Sequence, residues 1–320
     1  MIRAAILGLG RWGQALVEAA ARSEELRIVA AVEPDATRAS PLAATHGFRL
    51  LPDLDAALAE PGIEAVMLAT PHSQHAAQVR ACAAAGRAVF CEKPLSLSLA
   101  EAEDMVEACR RGGVPLAVGH NRRFWPAMQA LERMVAAGEL GTLLHLEGHN
   151  SNEHSNALRS GWRLDPAESP AGGLTGAGLH VLHAFVSLCG APIQAEAWLK
   201  VHRAGPPPLD SLAAFLEFPG GVTAQMATIR ATPAVWRIHA FGDRASAEVL
   251  GEGELILRRS GAAPERITLP ARDTLRDEME AFAAMVGGNK PYPVTPRQVL
   301  DTVRAFEMAV AAVEKKSRGP

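Results

Sequence analysis

The sequence predicts an α/β fold in two parts: an N-terminal doubly wound parallel sheet, then a C-terminal α+β domain with a largely antiparallel open sheet. Three observations predict it. Up to about residue 121, short apolar runs alternate with alanine-rich segments of helical period, the pattern of parallel strands joined by crossover helices. A Gly-x-Gly-x-x-Gly stretch, Gly8 to Gly13, directly follows the first apolar run. Beyond that half, runs rich in β-branched residues are separated by turns short enough for hairpins, such as Phe218-Pro219-Gly220-Gly221.

In order, strands are expected at 4–7, 28–32, 65–69, 88–90 and 116–118, with helices at 11–22, 36–46, 73–85 and 98–111 between them. Gly86 and Gly112-Gly113 close the last two helices, because glycine accepts the left-handed conformation that ends a helix. A helix at 125–137 stops at Gly138, and strands follow at 143–147, 195–201, 211–218, 222–229, 236–241 and 254–258. Helices at 178–189, 274–286 and 296–314 can cover one face of that sheet. The expected domains are 1–122 and 123–320, with a short tail from Lys315.

A chain of 320 residues exceeds a typical single domain. Its formal charge of -3 and pI near 6.4 provide no basic face for phosphates, so nucleic acid is excluded as a partner and a small-molecule substrate is expected. Cys82, Cys91, Cys109 and Cys189 form no CxxC pair, which fits reduced thiols in a cytoplasmic enzyme. The apolar start at 2–9 is broken by glycines, unlike a secretory signal, and nowhere do roughly 18 apolar residues run uninterrupted, so no membrane span is expected.

The stretch Gly8-Leu9-Gly10-Arg11-Trp12-Gly13 lies between a strand and a helix, the context in which such glycines hold a pyrophosphate at the helix N-terminus. Glu33 stands at the end of the second strand, about 20 residues on, where a carboxylate accepts from adenosine ribose hydroxyls and repels a 2'-phosphate. This favours NAD over NADP. Arg38, a helical turn or so away, is the nearest arginine after it. Thr70, Pro71, Glu92 and Lys93 fall at the carboxyl ends of strands, where an open parallel sheet binds ligands. His75 either touches the cofactor or packs its own helix. Lys93, in a chain that otherwise uses arginine for most of its positive charge, is a candidate to hydrogen-bond a substrate oxygen or move its proton.

These motifs, with Gly119-His120-Asn121-Arg122-Arg123-Phe124, Gly172-Gly173 and Phe241-Gly242-Asp243-Arg244-Ala245, resemble the glucose-fructose oxidoreductase, inositol dehydrogenase and MocA family over nearly the whole chain. The resemblance implies a Rossmann domain, a second domain whose open sheet forms a homodimer or homotetramer contact, and substrate bound between the two. It implies catalytic roles for Lys93 and His180. The family commonly carries an aspartate four residues before that histidine, and here the position is Gly176, which can neither orient the imidazole nor raise its basicity. Asn121, Arg122, Trp162, Arg163, His180 and His183 fall in the substrate half, where an arginine beside a tryptophan suits an acidic or aromatic substrate as well as a sugar, or simply a domain junction.

His145, Glu147 and His149 alternate along one expected strand, with His154 soon after; the resemblance implies metal-independent chemistry, and a polar sheet face explains the trio equally. With Tyr292 the sole tyrosine, a tyrosine-based reductase site is not expected. The expected function is hydride transfer between NAD and a ring or polyol hydroxyl, of a sugar, cyclitol or dihydrodiol, or its ketone. The alternative is a non-catalytic NAD-binding sensor on the same fold.

Overall fold

The protein is described by a computed structural model covering residues 1–152, 161–205 and 208–317. The chain opens with β1 (Ile2–Leu7), α1 (Arg11–Ala21), β2 (Leu26–Val32), α2 (Ala36–His46), β3 (Arg49–Leu51) and α3 (Leu54–Ala59). It continues with β4 (Ala65–Leu68), α4 (His72–Ala84), β5 (Ala88–Glu92), α5 (Leu99–Gly112) and β6 (Leu116–Gly119). The six strands lie in the order β3-β2-β1-β4-β5-β6, all parallel. Every residue of β4 and β5 is buried, as in a parallel sheet covered on both faces. Chain progression reverses between β1 and β4, the switch point at which such sheets open a crevice beyond their carboxyl ends.

Past a 3-10 turn at Asn121–Phe124 come α6 (Pro126–Ala136), β7 (Leu143–Asn152) and α7 (Leu179–Cys189). β8 (Gln194–Arg203), β9 (Leu209–Glu217), β10 (Thr223–Arg230), β11 (Val235–Gly242), β12 (Ala245–Leu250), β13 (Glu254–Arg259) and β14 (Glu265–Thr268) follow. The last helices are α8 (Thr274–Val286) and α9 (Pro296–Ser317). The second sheet runs β14-β13-β12-β11-β7-β10-β9-β8, antiparallel throughout except where β10 meets β7. Gly148 on β7 lets α7 approach, since a Cβ there would run into Val181 and Phe185.

Contacts divide the chain into one unit of Met1–Asn121 with Asp273–Pro296 and another of Arg122–Arg272 with Arg297–Pro320. A contiguous C-terminal domain at 123–320 is therefore not what the packing makes. The reason is α8, which buries Met279, Phe282 and Ala283 and sets the Phe282 ring edge-on to Phe90 of β5 at 5.5 Å between centroids. Asp273 fixes the start of α8, accepting from the Arg276 backbone N–H at 3.2 Å and from Arg22 Nε of α1 at 2.6 Å.

β3, α3, β12 and β14 are elements that the sequence pattern does not predict, and the expected tail from Lys315 begins within α9. Lys316 there bonds Glu196 at 3.0 Å and lies 4.9 Å over the Trp198 ring. No helix among the described residues is long and apolar enough to cross a membrane.

Candidate functional site

In the first unit, the glycine loop has the shape its spacing predicts. Gly8 adopts φ +87, and a Cβ on it would stand 2.7 Å from the Ala69 carbonyl oxygen. A Cβ on Gly13 would collide with the Gly8 carbonyl oxygen, while one on Gly10 would meet nothing within 4 Å. The two outer glycines thus seat α1 against the strands, and the middle one faces open space. No side chain caps Gly10, and α1 has no acidic residue in its first turn, so its N-terminal N–H groups and dipole are left for an anion. These features fit a dinucleotide pyrophosphate.

Glu33 closes the loop from behind. Its Oε2 accepts the Leu9 backbone N–H at 2.7 Å, and its Oε1 accepts from the Asp35 N–H and Arg38 Nη1, both at 3.1 Å. Arg38 is held on this carboxylate and on Asp35 at 3.4 Å.

At the ends of β4 and β5, His75 is fully buried, with Nδ1 3.0 Å from the Pro94 carbonyl and Nε2 3.2 Å from the Thr70 carbonyl. Of the two roles open to it, packing is the one this burial supports, since the ring ties the segments after β4 and β5 together. The Thr70 hydroxyl donates to Gln78 Oε1 at 2.7 Å. Glu92 is buried and accepts from Trp12 Nε1 of the loop helix and from the Lys93 backbone N–H. Gly119 makes room for it, since a Cβ there would come within 2.7 Å of Glu92 Oε1. Lys93 itself is half-buried at the sheet edge, and the Lys93-Pro94 peptide is cis. Arg11 is exposed at the start of α1.

In the second unit, His180 lies half-buried in the first turn of α7, directly after a π-helical turn at Leu174–Gly178. Gly176 within that turn is exposed, and a Cβ on it would meet nothing within 4 Å. Asn150 of β7 donates through Nδ2 to the Ala177 carbonyl at 2.7 Å, so the turn is anchored to the sheet. Arg122 reaches the same Asn150 through Nη2 at 3.4 Å and lies over both Trp125 and Trp236, 4.4 and 4.3 Å from the ring centroids, in the corner of that edge-to-face ring pair. Burial lowers the pKa of this guanidinium to about 10, still charged at neutral pH.

His183, which the sequence puts in the substrate half, faces another helix of its own unit. It is buried against α9, Nδ1 3.1 Å from the Thr302 hydroxyl, and burial together with Arg123 pushes its pKa down to about 3. Arg163 lies 4.3 Å over the ring of Trp162, so those two stack on each other. Asn121 is half-buried at the end of the first unit.

The trio on β7 points to one sheet face and is spoken for: His145 with the Thr223 hydroxyl at 2.7 Å, His149 with Ser151 at 2.6 Å, and Glu147 with Arg237. No group of three or more His, Cys, Asp or Glu side chains able to hold a metal occurs among the described residues, and His154 lies outside them. The four cysteines are free thiols, with Cys82 pushed up to about 12 and Cys109 to about 11 by burial.

Sequence reasoning missed Trp236 as the second wall around Arg122 and the buried pair Glu278 and Tyr292 behind Glu92. Only a packed structure brings such residues together, although a sole tyrosine, Tyr292, was a signal of a kind.

Residues 2–120 match the profile of an oxidoreductase family with an NAD-binding Rossmann fold, and residues 128–248 match the C-terminal domain of the GFO/IDH/MocA proteins. The chain belongs to the GFO/IDH/MocA family. Among curated relatives, trans-1,2-dihydrobenzene-1,2-diol dehydrogenase of Mus musculus is 31% identical over 204 residues, covering 62% of this chain and 59% of that protein. A 4-carboxy-2-hydroxymuconate-6-semialdehyde dehydrogenase of Sphingobium is 36% identical over 140 residues, covering 43% of this chain and 44% of that protein. The match thus spans less than two thirds of these relatives' length. Among solved structures, a putative NADPH-dependent oxidoreductase of Desulfitobacterium hafniense superposes with TM-score 0.89 at 25% identity, over 98% of this chain and 96% of that one. UDP-N-acetylglucosamine 3-dehydrogenase of Acidithiobacillus ferrooxidans gives 0.84 at 25% identity, over 98% of both chains. In this GFO/IDH/MocA chain the first matched region ends one residue short of Asn121, where the first contiguous stretch of the N-terminal unit also ends.

Proposed function

We propose that this chain is an NAD-dependent oxidoreductase that transfers hydride between the nicotinamide and a ring or polyol hydroxyl, of a sugar, cyclitol or dihydrodiol, or the corresponding ketone. The observation that carries the reading is the Glu33 carboxylate closing the Gly8–Gly13 loop at Leu9 while holding Arg38. A 2'-phosphate would meet that carboxylate and an arginine already engaged, which supports NAD over NADP.

The loop N–H groups and the α1 N-terminus would hold the pyrophosphate, Glu33 the ribose hydroxyls, and Thr70 and Pro71 the strand-end side of the site. A bound nicotinamide supplies the hydride acceptor or donor. Lys93 hydrogen-bonds the substrate oxygen, and its ammonium stabilises charge developing there as the hydroxyl proton leaves. Glu92 holds the Lys93 backbone and, through Trp12, the loop. His180 serves as the general acid or base, and Asn150 steadies the turn from which its helix starts. Arg122 and Asn121 are assigned to substrate, with the stack of Trp162 and Arg163.

A homodimer or homotetramer through the second sheet is supported by its outer face. Trp198 and Phe215 are 51% and 44% exposed there, in register with polar Glu147, His149 and Gln225. The free thiols suit a reducing, cytoplasmic setting.

The test is a panel of sugars, cyclitols and dihydrodiols with NAD and NADP, read by the nicotinamide absorbance. Turnover with NAD preferred is expected, and preference for NADP would overturn the Glu33 reading. Tight nucleotide binding without turnover on any member would favour a sensor, a reading that Gly176 beside His180 keeps in play.

A further inference from the structure

Behind Glu92 lies a second carboxyl group for which hydride transfer has no evident use. Glu278 of α8 is fully buried, its Oε1 stands 3.1 Å from the Tyr292 hydroxyl, and its Oε2 has no hydrogen-bond partner among the described residues. The same hydroxyl lies 3.3 Å from the Val118 carbonyl on β6, one residue before Gly119, which is paired in register with Glu92. All of these groups belong to the first unit.

Glu92 accepts from N–H donors, the Trp12 indole and the Lys93 backbone. Glu278 has the Tyr292 hydroxyl beside one oxygen and, among the described residues, no donor at the other. Two carboxyl groups near one another in an apolar interior resist joint ionisation, and the proton stays on the one with fewer donors. Burial pushes the Glu278 carboxyl well above its ordinary range, and Glu92 pushes it further.

Counting protons leads to the same assignment. The Tyr292 hydroxyl has one proton, and the Val118 carbonyl can only accept. An ionised Glu278 would compete with Val118 for that proton, whereas a protonated Glu278 donates to Tyr292 and lets Tyr292 donate to Val118. The titratable groups bearing on Glu278 are Glu92 from β5 and Tyr292 from the segment after α8. The Cys91 thiol next to Glu92 is itself kept protonated by burial, and Tyr292 is held neutral in the same way.

We propose that Glu278 is a permanently protonated carboxylic acid at the head of a chain running from Glu278 to Tyr292 to Val118, and that its neutrality lets Glu92 keep the charge that holds Trp12 and Lys93. Glu278 is thus a positioning residue acting through Glu92. Its consequence for nucleotide binding rests on the cofactor-site reading above, but its protonation does not.

Infrared difference spectra of nucleotide-free wild type against Glu278→Gln decide the protonation. From about pH 6 to 9, a range bracketing neutrality, the wild type should show the carbonyl stretch of a protonated carboxylic acid that the variant lacks. Loss of a carboxylate band in its place would overturn the proposal. Tyr292→Phe, which leaves the acid in place, should move that stretch to higher frequency, and an unmoved band would remove Tyr292 from the chain and overturn the proposal as stated. Tryptophan fluorescence titration with NADH tests the consequence. Glu278→Gln should bind within about twofold of wild type at neutral pH, and a tenfold loss would show that a charge at Glu278 is needed. Should no variant, wild type included, bind NADH, the cofactor reading falls while the infrared result still decides Glu278.

Discussion

Glu33 accepts the Leu9 backbone N–H at 2.7 Å, so the side chain read as the ribose acceptor also braces the phosphate loop. Replacing Glu33 with Ala removes both functions and releases Arg38. Hydrogen bonds to charged groups contribute about 1.5–3 kcal/mol, so KM for NAD should rise on the order of tenfold or more. KM for NADP should rise less or fall, because Arg38 becomes available. Steady-state kinetics with both cofactors measure the ratio, and an unchanged ratio would remove Glu33 from cofactor choice.

Lys93→Met keeps the length and apolar stem of the side chain and removes the amine. Turnover should fall by roughly 10²–10⁴, the range for a lost proton-transfer group. NAD affinity should stay close to wild type, because Glu92 is held by the Lys93 backbone N–H and the Trp12 indole, both of which survive the substitution. Turnover within a few fold of wild type would sink the assignment.

Gly176 is exposed, and a Cβ there meets nothing within 4 Å, so Gly176→Asp should fold with an unchanged melting temperature. A carboxylate near His180 favours the imidazolium, and the acid limb of kcat/KM should move up by about one pH unit. A variant whose profile overlays that of wild type would mean that His180 takes no part in the proton chemistry.

His183 carries a stability prediction with a definite sign. Its folded pKa, about 3, lies below the ordinary histidine value of 6.5. Above the higher value both folded and unfolded chains hold it neutral, and the buried ring costs nothing. As pH falls towards the lower value the unfolded state takes up a proton that the folded state does not, and stability drops by up to about 1.4 kcal/mol per pH unit. His183→Gln should therefore flatten the acid side of a melting-temperature profile, whatever it does to the absolute value. An identical slope would show that His183 is charged, or exposed, in the folded protein.

How much of this was legible in the sequence follows from the range of the forces involved. The loop from Gly8 to Gly13, Glu33 and the parallel strands were readable because each is encoded by neighbours within one βαβ unit. β3 escaped because three residues, Arg49–Leu51, give no period, and β12 because its inward positions Ala245 and Ala247 are small and it ends on two apolar residues, Val249 and Leu250, so the alternation has little hydrophobic contrast. His183 falls in the substrate half by sequence position, which says nothing of the α9 residue packed on it. Trp236 beside Arg122, and Glu278 behind Glu92, join residues far apart in the chain, so only tertiary packing reveals them.

The return of α8 to the first unit has a practical meaning for anyone cutting or recombining this protein. A fragment ending at Asn121 would carry every loop and strand assigned to the cofactor, yet would lose Phe282 from against Phe90 and Asp273 from Arg22. It would expose apolar surface beneath Glu92 and invite aggregation. The cofactor domain is a two-segment object, and a graft that is to fold must carry Asp273–Pro296 with it.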